Sequence, residues 1–160
     1  SYLDAPLLVA KLPEQVMANT CFVAKEKPLY RSRLGSRLIQ GSQLIVVDID
    51  RNLKSSLQKI AAVIRRGKNM VIFPEGTRTR DGQIASFKKL FAILSRELDV
   101  PVVPLAIRGS YEAMPSGAVL PRPGSIDIIV CDPVYPQGKD YDQICSEVRS
   151  AIAGRISPSD

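Results

Sequence analysis

The chain contains no histidine, so none of its side chains can serve as an imidazole base near neutral pH. Only three cysteines are present, Cys21, Cys131 and Cys145. They are too few and too scattered for a disulfide framework and lack the close pairing of zinc sites, so a reducing, cytoplasmic compartment is the default expectation. Cys21 and Cys145 read as small buried hydrophobes. No apolar run approaches the roughly 20 residues that span a bilayer, and the first residues lack the charged-then-apolar layout of a secretory signal. The expectation is a soluble or membrane-surface-associated chain. Disorder and collagen-like architecture are excluded by 45% hydrophobic against 24% charged residues over 160 positions, with 10 glycines and 12 prolines, a mixture that supports one globular domain with a core.

Basic charge is present and unevenly spread. Lys and Arg total 22 against 16 Asp and Glu, a net +6 that suggests affinity for phosphate-rich partners. Residues 1–90 hold 16 basic and 7 acidic side chains, whereas residues 91–160 hold 6 and 9. The group Lys25, Lys27, Arg31, Arg33 and Arg37 reads first as a solvated face, with anionic lipid or carrier phosphates as the alternative.

Apolar periodicity organises the rest. Asp4 is placed to cap a helix over Ala5–Leu12 that Pro13 stops. Strands are expected at Cys21–Ala24, Leu44–Val47, Asn69–Phe73, Val102–Ile107 and Ile126–Val130. Helices are expected through the basic segment towards Ile39, closed by Gly41; from Asn52 along Leu53, Leu57, Ile60, Ala61 and Ile64 to a stop at Gly67; along Phe87, Leu90, Phe91, Leu94 and Leu98; and over Tyr141–Ala153. Alternating strands and helices predict an α/β fold with a mostly parallel (mixed) sheet covered by helices, because parallel neighbours need helical crossovers.

The segment Phe73-Pro74-Glu75-Gly76-Thr77-Arg78-Thr79-Arg80-Asp81-Gly82 follows a strand and precedes a helix, where open α/β sheets build their sites. Gly76 permits close ligand approach, Thr77 offers a hydroxyl, Arg78 can grip a phosphate through its fork, and Glu75 can accept from ligand hydroxyls. A solvated turn is the plain alternative on composition. The spacing is not that of a nucleotide P-loop.

FPEGTRTRDG resembles the third signature block of the glycerolipid acyltransferases, the lysophosphatidate acyltransferase family. Ser1-Tyr2-Leu3-Asp4 resembles the end of the first block, a His followed by four residues and an Asp. Asp4 matches the acid, and the catalytic His is expected two residues before Ser1. Gly41–Arg51 resembles the second block, with Arg51 at the arginine associated with the acceptor's phosphate and Asp48 or Asp50 as its accompanying aspartate. Val100–Leu105 resembles the fourth, with Pro104 as its site-shaping second proline. The blocks stand in family order from Ser1 to Leu105.

The resemblance implies a single acyltransferase domain over residues 1–160, truncated at its N-terminal edge. It implies a 1-acylglycerol-3-phosphate O-acyltransferase-like reaction of phospholipid synthesis or remodelling: an acyl group passes from acyl-CoA or acyl carrier protein to the free hydroxyl of a lysophospholipid. Asp4 would orient the catalytic His; Arg51, Glu75, Gly76, Thr77 and Arg78 would bind glycerol and phosphate; Pro74 and Pro104 would shape the site. No metal or redox cofactor is implied. A peripheral position on the cytoplasmic side of a membrane, or anchoring through segments outside this chain, is expected, and the compact domain suggests a bacterial origin. With Asp4 but no His, this polypeptide is expected to be inactive. The alternatives are a non-catalytic lysophospholipid- or acyl-chain-binding member of the fold and a nucleic-acid-binding module. The second lacks interleaved aromatics and a reading helix, so the chain is expected to leave random DNA and RNA unshifted in gels across a salt series.

Overall fold

In the computed structural model the described residues are 3–25, 43–77, 79, 81–115, 118 and 120–156. Backbone contacts group the chain into two compact units, Leu12–Phe73 and Ser1–Lys11 with Pro74–Asp160.

The first unit is built on three parallel strands, β1 (Thr20–Lys25), β2 (Leu44–Val47) and β3 (Asn69–Val71), in the order β2-β1-β3. Register pairs Phe22 with Leu44 on one side and with Val71 on the other. β2 and β3 flank β1, so the chain between them must cross it. That crossing is made by α3 (Leu53–Ile64), which packs on both outer strands. Asn52 caps α3 by accepting the Ser55 N–H at 3.0 Å, and Gly67 ends the connection in the left-handed conformation, φ +79°. Phe22, Val47, Ile60 and Ala61 form the core; full burial of a side chain such as Ile60 contributes about 1.5–3 kcal/mol.

The expected stripe on α3 is only partly inward. Leu53 is exposed, while Ser56 is buried with its hydroxyl donating to the Asn52 carbonyl at 2.9 Å. A short helix α2 (Glu14–Ala18) precedes β1, started by Pro13 at its N-cap. Pro13 thus both stops one helix and starts the next, since its fixed φ and missing N–H suit a first turn.

The second unit holds α1 (Asp4–Lys11), α4 (Leu90–Leu98), β4 (Leu105–Arg108), the one-turn α5 (Ser110–Ala113), β5 (Asp127–Val130) and α6 (Tyr141–Ile156). α6 packs on α4 and β4; Ile144 and Val148 are buried on α6, Leu90, Phe91, Ala92 and Leu94 on α4, and Ala106 on β4. Tyr141 Oη donates to Glu97 at 2.6 Å beneath the Arg96 guanidinium, 5.0 Å from the ring centre. Asp4 is the first residue of α1 rather than a cap outside it.

Two strand expectations change here. Asn69–Phe73 shortens to Asn69–Val71, with Phe73 exposed. Val102–Ile107 does not resume the parallel sheet among the described residues: β4 pairs antiparallel with β5, Leu105 opposite Val130 and Arg108 opposite Asp127. Pro101 and Pro104 have no N–H to give a ladder, so pairing before Leu105 is confined to the Val102–Val134 bridge and the Cys131 N–H donated to the Pro104 carbonyl at 2.9 Å. Cys131 is the buried cysteine; Cys21 and Cys145 are half-buried, and burial pushes the Cys145 thiol above its usual value. The basic helix expected towards Ile39 and its stop at Gly41 lie outside the described residues.

Gly109 joins β4 to α5 at φ +85°, and a Cβ there would stand 2.1 Å from the Ser125 carbonyl oxygen. Gly109→Ala is therefore expected to destabilise this unit by at least about 3 kcal/mol. Gly138→Ala, at φ +71° with open space around it, is expected to cost about 1–2 kcal/mol. Urea unfolding of the two variants measures the difference.

Candidate active site

Chain direction brings the loop after β3 into a turn through Pro74, Glu75, Gly76 and Thr77. The Pro74 carbonyl accepts the Lys88 N–H at 2.8 Å, joining the start of the loop to the residues just ahead of α4. Glu75 Oε2 accepts the Ala85 N–H at 3.0 Å. Gly76 takes φ +68°, a conformation that other residues adopt only at a cost.

The far side of the loop is organised around Asp81. Its Oδ1 accepts both the Thr79 hydroxyl and the Gln83 N–H, each at 3.0 Å. This local turn holds the carboxyl below its usual 3.8, the Gln83 amide first and the Thr79 hydroxyl second. Gly82, at φ +80°, lies against the Tyr111 ring, 3.1 Å from where its Cβ would be, and Arg149 of α6 donates to the Ile84 carbonyl at 3.3 Å. The described part of the segment is thus bonded to itself and to α6, at solvent-exposed positions.

Pro74, Glu75, Gly76 and Thr77 share one turn. Glu75, expected to accept from a ligand, also braces the loop through Ala85. Arg78 lies outside the described residues. Asp4 and Pro104 belong to the same unit as the turn. Asp4 is half-buried, with Oδ1 sealed from solvent, and Pro104 is buried where its carbonyl meets Cys131.

Arg51 belongs to the other unit, after the carboxyl end of β2. Its N–H donates to Asp48 Oδ1 at 3.3 Å and its Nε stands 4.0 Å from Asp48 Oδ2, with the side chain 78% exposed. Asp50 instead pairs with Lys25, the last residue of β1. Asp48 is therefore the aspartate that goes with Arg51, and so exposed a pair orients the guanidinium without immobilising it. Of the basic group expected from Lys25 to Arg37, only Lys25 is described.

Sequence reasoning assigned nothing to Lys88, although a methyl group built on Gly76 would meet its Cε at 3.2 Å and its Nζ at 3.4 Å. The signal was there as Phe87-Lys88-Lys89 at the mouth of the next helix, but helix periodicity reads those lysines only as surface. Among the described residues no group of His, Cys, Asp or Glu is placed to hold a metal ion.

A fold of this kind is shared with known proteins. The Acyltransferase family model matches residues 1–108, and the chain belongs to that family. A chloroplastic 1-acyl-sn-glycerol-3-phosphate acyltransferase of Brassica napus is 34% identical over 98 residues, 61% of this chain and 28% of that protein. A 1-acyl-sn-glycerol-3-phosphate acyltransferase of Chlamydomonas reinhardtii is 30% identical over 139 residues, 86% of this chain and 42% of that one. The crystal structure of the 1-acyl-sn-glycerophosphate (LPA) acyltransferase PlsC from Thermotoga maritima superposes with a TM-score of 0.75 at 25% identity, covering all of this chain and 64% of the other. The chain thus spans less than half the length of these two curated relatives.

Because Asp81 has its pKa depressed in the fold, its turn is complete above 3.8 and is lost only as pH falls through a lower value. The Gln83 amide proton, followed by NMR, is expected to titrate with a midpoint below 3.8, and in Asp81→Asn that titration should vanish.

Proposed function

We propose that this chain is the acceptor-binding and acid-bearing part of an enzyme that acylates the free hydroxyl of a lysophosphatidate-type lysophospholipid. The observation that carries the reading is the braced Pro74–Thr77 turn inside the region that the family model matches. The relatives' names supply the substrate class. Glu75 and Thr77 meet the glycerol hydroxyls, while Arg78 neutralises phosphate charge. Holding the acceptor in this way converts an encounter between two molecules into a step within one complex, worth several kcal/mol of barrier.

The chemistry needs a base. An alcohol attacks a thioester carbonyl as its proton passes to an imidazole; the tetrahedral intermediate collapses, the C–S bond breaks and the thiolate takes the proton back. Asp4 orients the imidazole and stabilises its charged form, a role that suits a half-buried carboxylate at the start of a helix. The donor is acyl-CoA or an acyl carrier protein. The substrates live in bilayers, so the protein works at a membrane surface on the cytoplasmic side, peripherally or anchored through other segments. No helix among the described residues is long and apolar enough to cross a membrane.

The 160 residues contain no histidine, and that observation favours a second reading, a non-catalytic relative that binds lysophospholipid. Both readings expect this polypeptide to bind lysophosphatidate without turnover. They separate when the catalytic histidine is supplied two positions before Ser1: acyl transfer from an acyl thioester is expected to appear, and its absence from a folded protein would leave the binder. In the active form, Arg78→Ala is expected to lower kcat/KM for lysophosphatidate by roughly 10- to 100-fold with little change in melting temperature. A collapse in melting temperature with unchanged acceptor dependence would make Arg78 a structural residue.

A further inference from the structure

Lys88 and Lys89 are adjacent but face different surroundings. Lys89 reaches α6, its Nζ 2.7 Å from Asp142 Oδ1 and 2.9 Å from Oδ2, and that carboxylate raises its pKa above the usual amine value. Lys88 lies along Gly76, with Cε, Cδ and Nζ at 3.2, 3.3 and 3.4 Å from the position of a Cβ there. Its own N–H is bonded to the Pro74 carbonyl at 2.8 Å, so the root of the side chain is tied to the first residue of the turn.

We propose that Lys88 is a phosphate-binding residue of the acceptor site, its ammonium lying over the Glu75-Gly76-Thr77 turn to hold the phosphomonoester of a lysophosphatidate-type acceptor. This rests on the acceptor reading above. Helix stability does not explain the lysine, because cations just ahead of α4 oppose the positive end of the helix dipole. A Cβ at Gly76 would press on the Lys88 side chain by only a few tenths of an ångström, so the positive φ is what asks for glycine there, and the close approach places the ammonium beside the turn. A phosphate dianion bound beside the Glu75 carboxylate needs compensating positive charge. Arg78 follows in sequence, and Lys88 brings a further cation from the other end of the loop. An ammonium with three donors on a flexible stem suits a phosphate group as a point charge.

The test is equilibrium binding to the 160-residue chain of a short-chain lysophosphatidate and of the monoacylglycerol with the same acyl group, which differs only in lacking phosphate. The wild type is expected to prefer lysophosphatidate. Lys88→Met should reduce that preference by about 10-fold or more, Lys88→Arg should keep most of it, and Lys89→Met should keep all of it despite losing the Asp142 pair. A Lys88→Met protein with the wild-type preference overturns the assignment. So does an equal loss of both lipids with a fallen melting temperature, which makes Lys88 a packing residue. A wild type that fails to distinguish the two lipids overturns the acceptor reading itself, and this inference with it.

Discussion

The bond from the Lys88 N–H to the Pro74 carbonyl, 2.8 Å long, closes the loop on which the candidate site depends. Without closure, the residues between would be a long excursion whose ends are free to separate, and ordering them would cost conformational entropy at every position. With it, Glu75 can reach Ala85, and the Lys88 side chain is delivered to Gly76. The smaller Asp81 turn and the Arg149 contact add bonds at Thr79, Gln83 and Ile84. These bonds are individually modest, about 0.5–1.5 kcal/mol each. Their effect comes from being made within one segment whose freedom each successive bond reduces further.

Ion pairs stand at solvent-exposed positions in both units. The Arg51–Asp48 and Lys25–Asp50 pairs stand at the carboxyl ends of β2 and β1 with largely exposed side chains, where such pairs contribute little stability. Cations held this lightly can exchange a carboxylate for a phosphate at small cost. In the second unit, Lys89 pairs with Asp142 and Arg108 with Asp127 at 2.9 Å, equally exposed pairs that join secondary-structure elements. Neighbouring lysines in sequence go to different places: Lys89 joins the start of α4 to α6, and Lys88 lies along Gly76.

Most strands and helices could be read from apolar pattern because their inward faces recur at regular spacing. Leu44–Val47 and the Asn52-capped helix to Ile64 match the expectations closely, since a continuous β-branched run and a cap followed by periodic residues are local signals. The errors lie where pairing decides. Phe87 was expected in α4, but the helix begins at Leu90, with Phe87 packed edge-on against Phe91 at 6.3 Å. β4 was expected in the parallel sheet and is paired antiparallel with β5 instead. A strand's sequence reports that it is buried, not which neighbour buries it.

By itself the sequence determined the α/β class, the block order that places the chain in its family, and the residue types at the Glu75-Gly76-Thr77-Arg78 segment. Only the tertiary structure decided that Asp48 rather than Asp50 accompanies Arg51, that Glu75 braces Ala85, and that Lys88 covers Gly76. The reason is range. Periodicity, caps and motif spacing are written within a few residues of one another, whereas a side chain's partner depends on the path the whole loop takes. For Lys88 that path includes a backbone hydrogen bond to the loop's first residue.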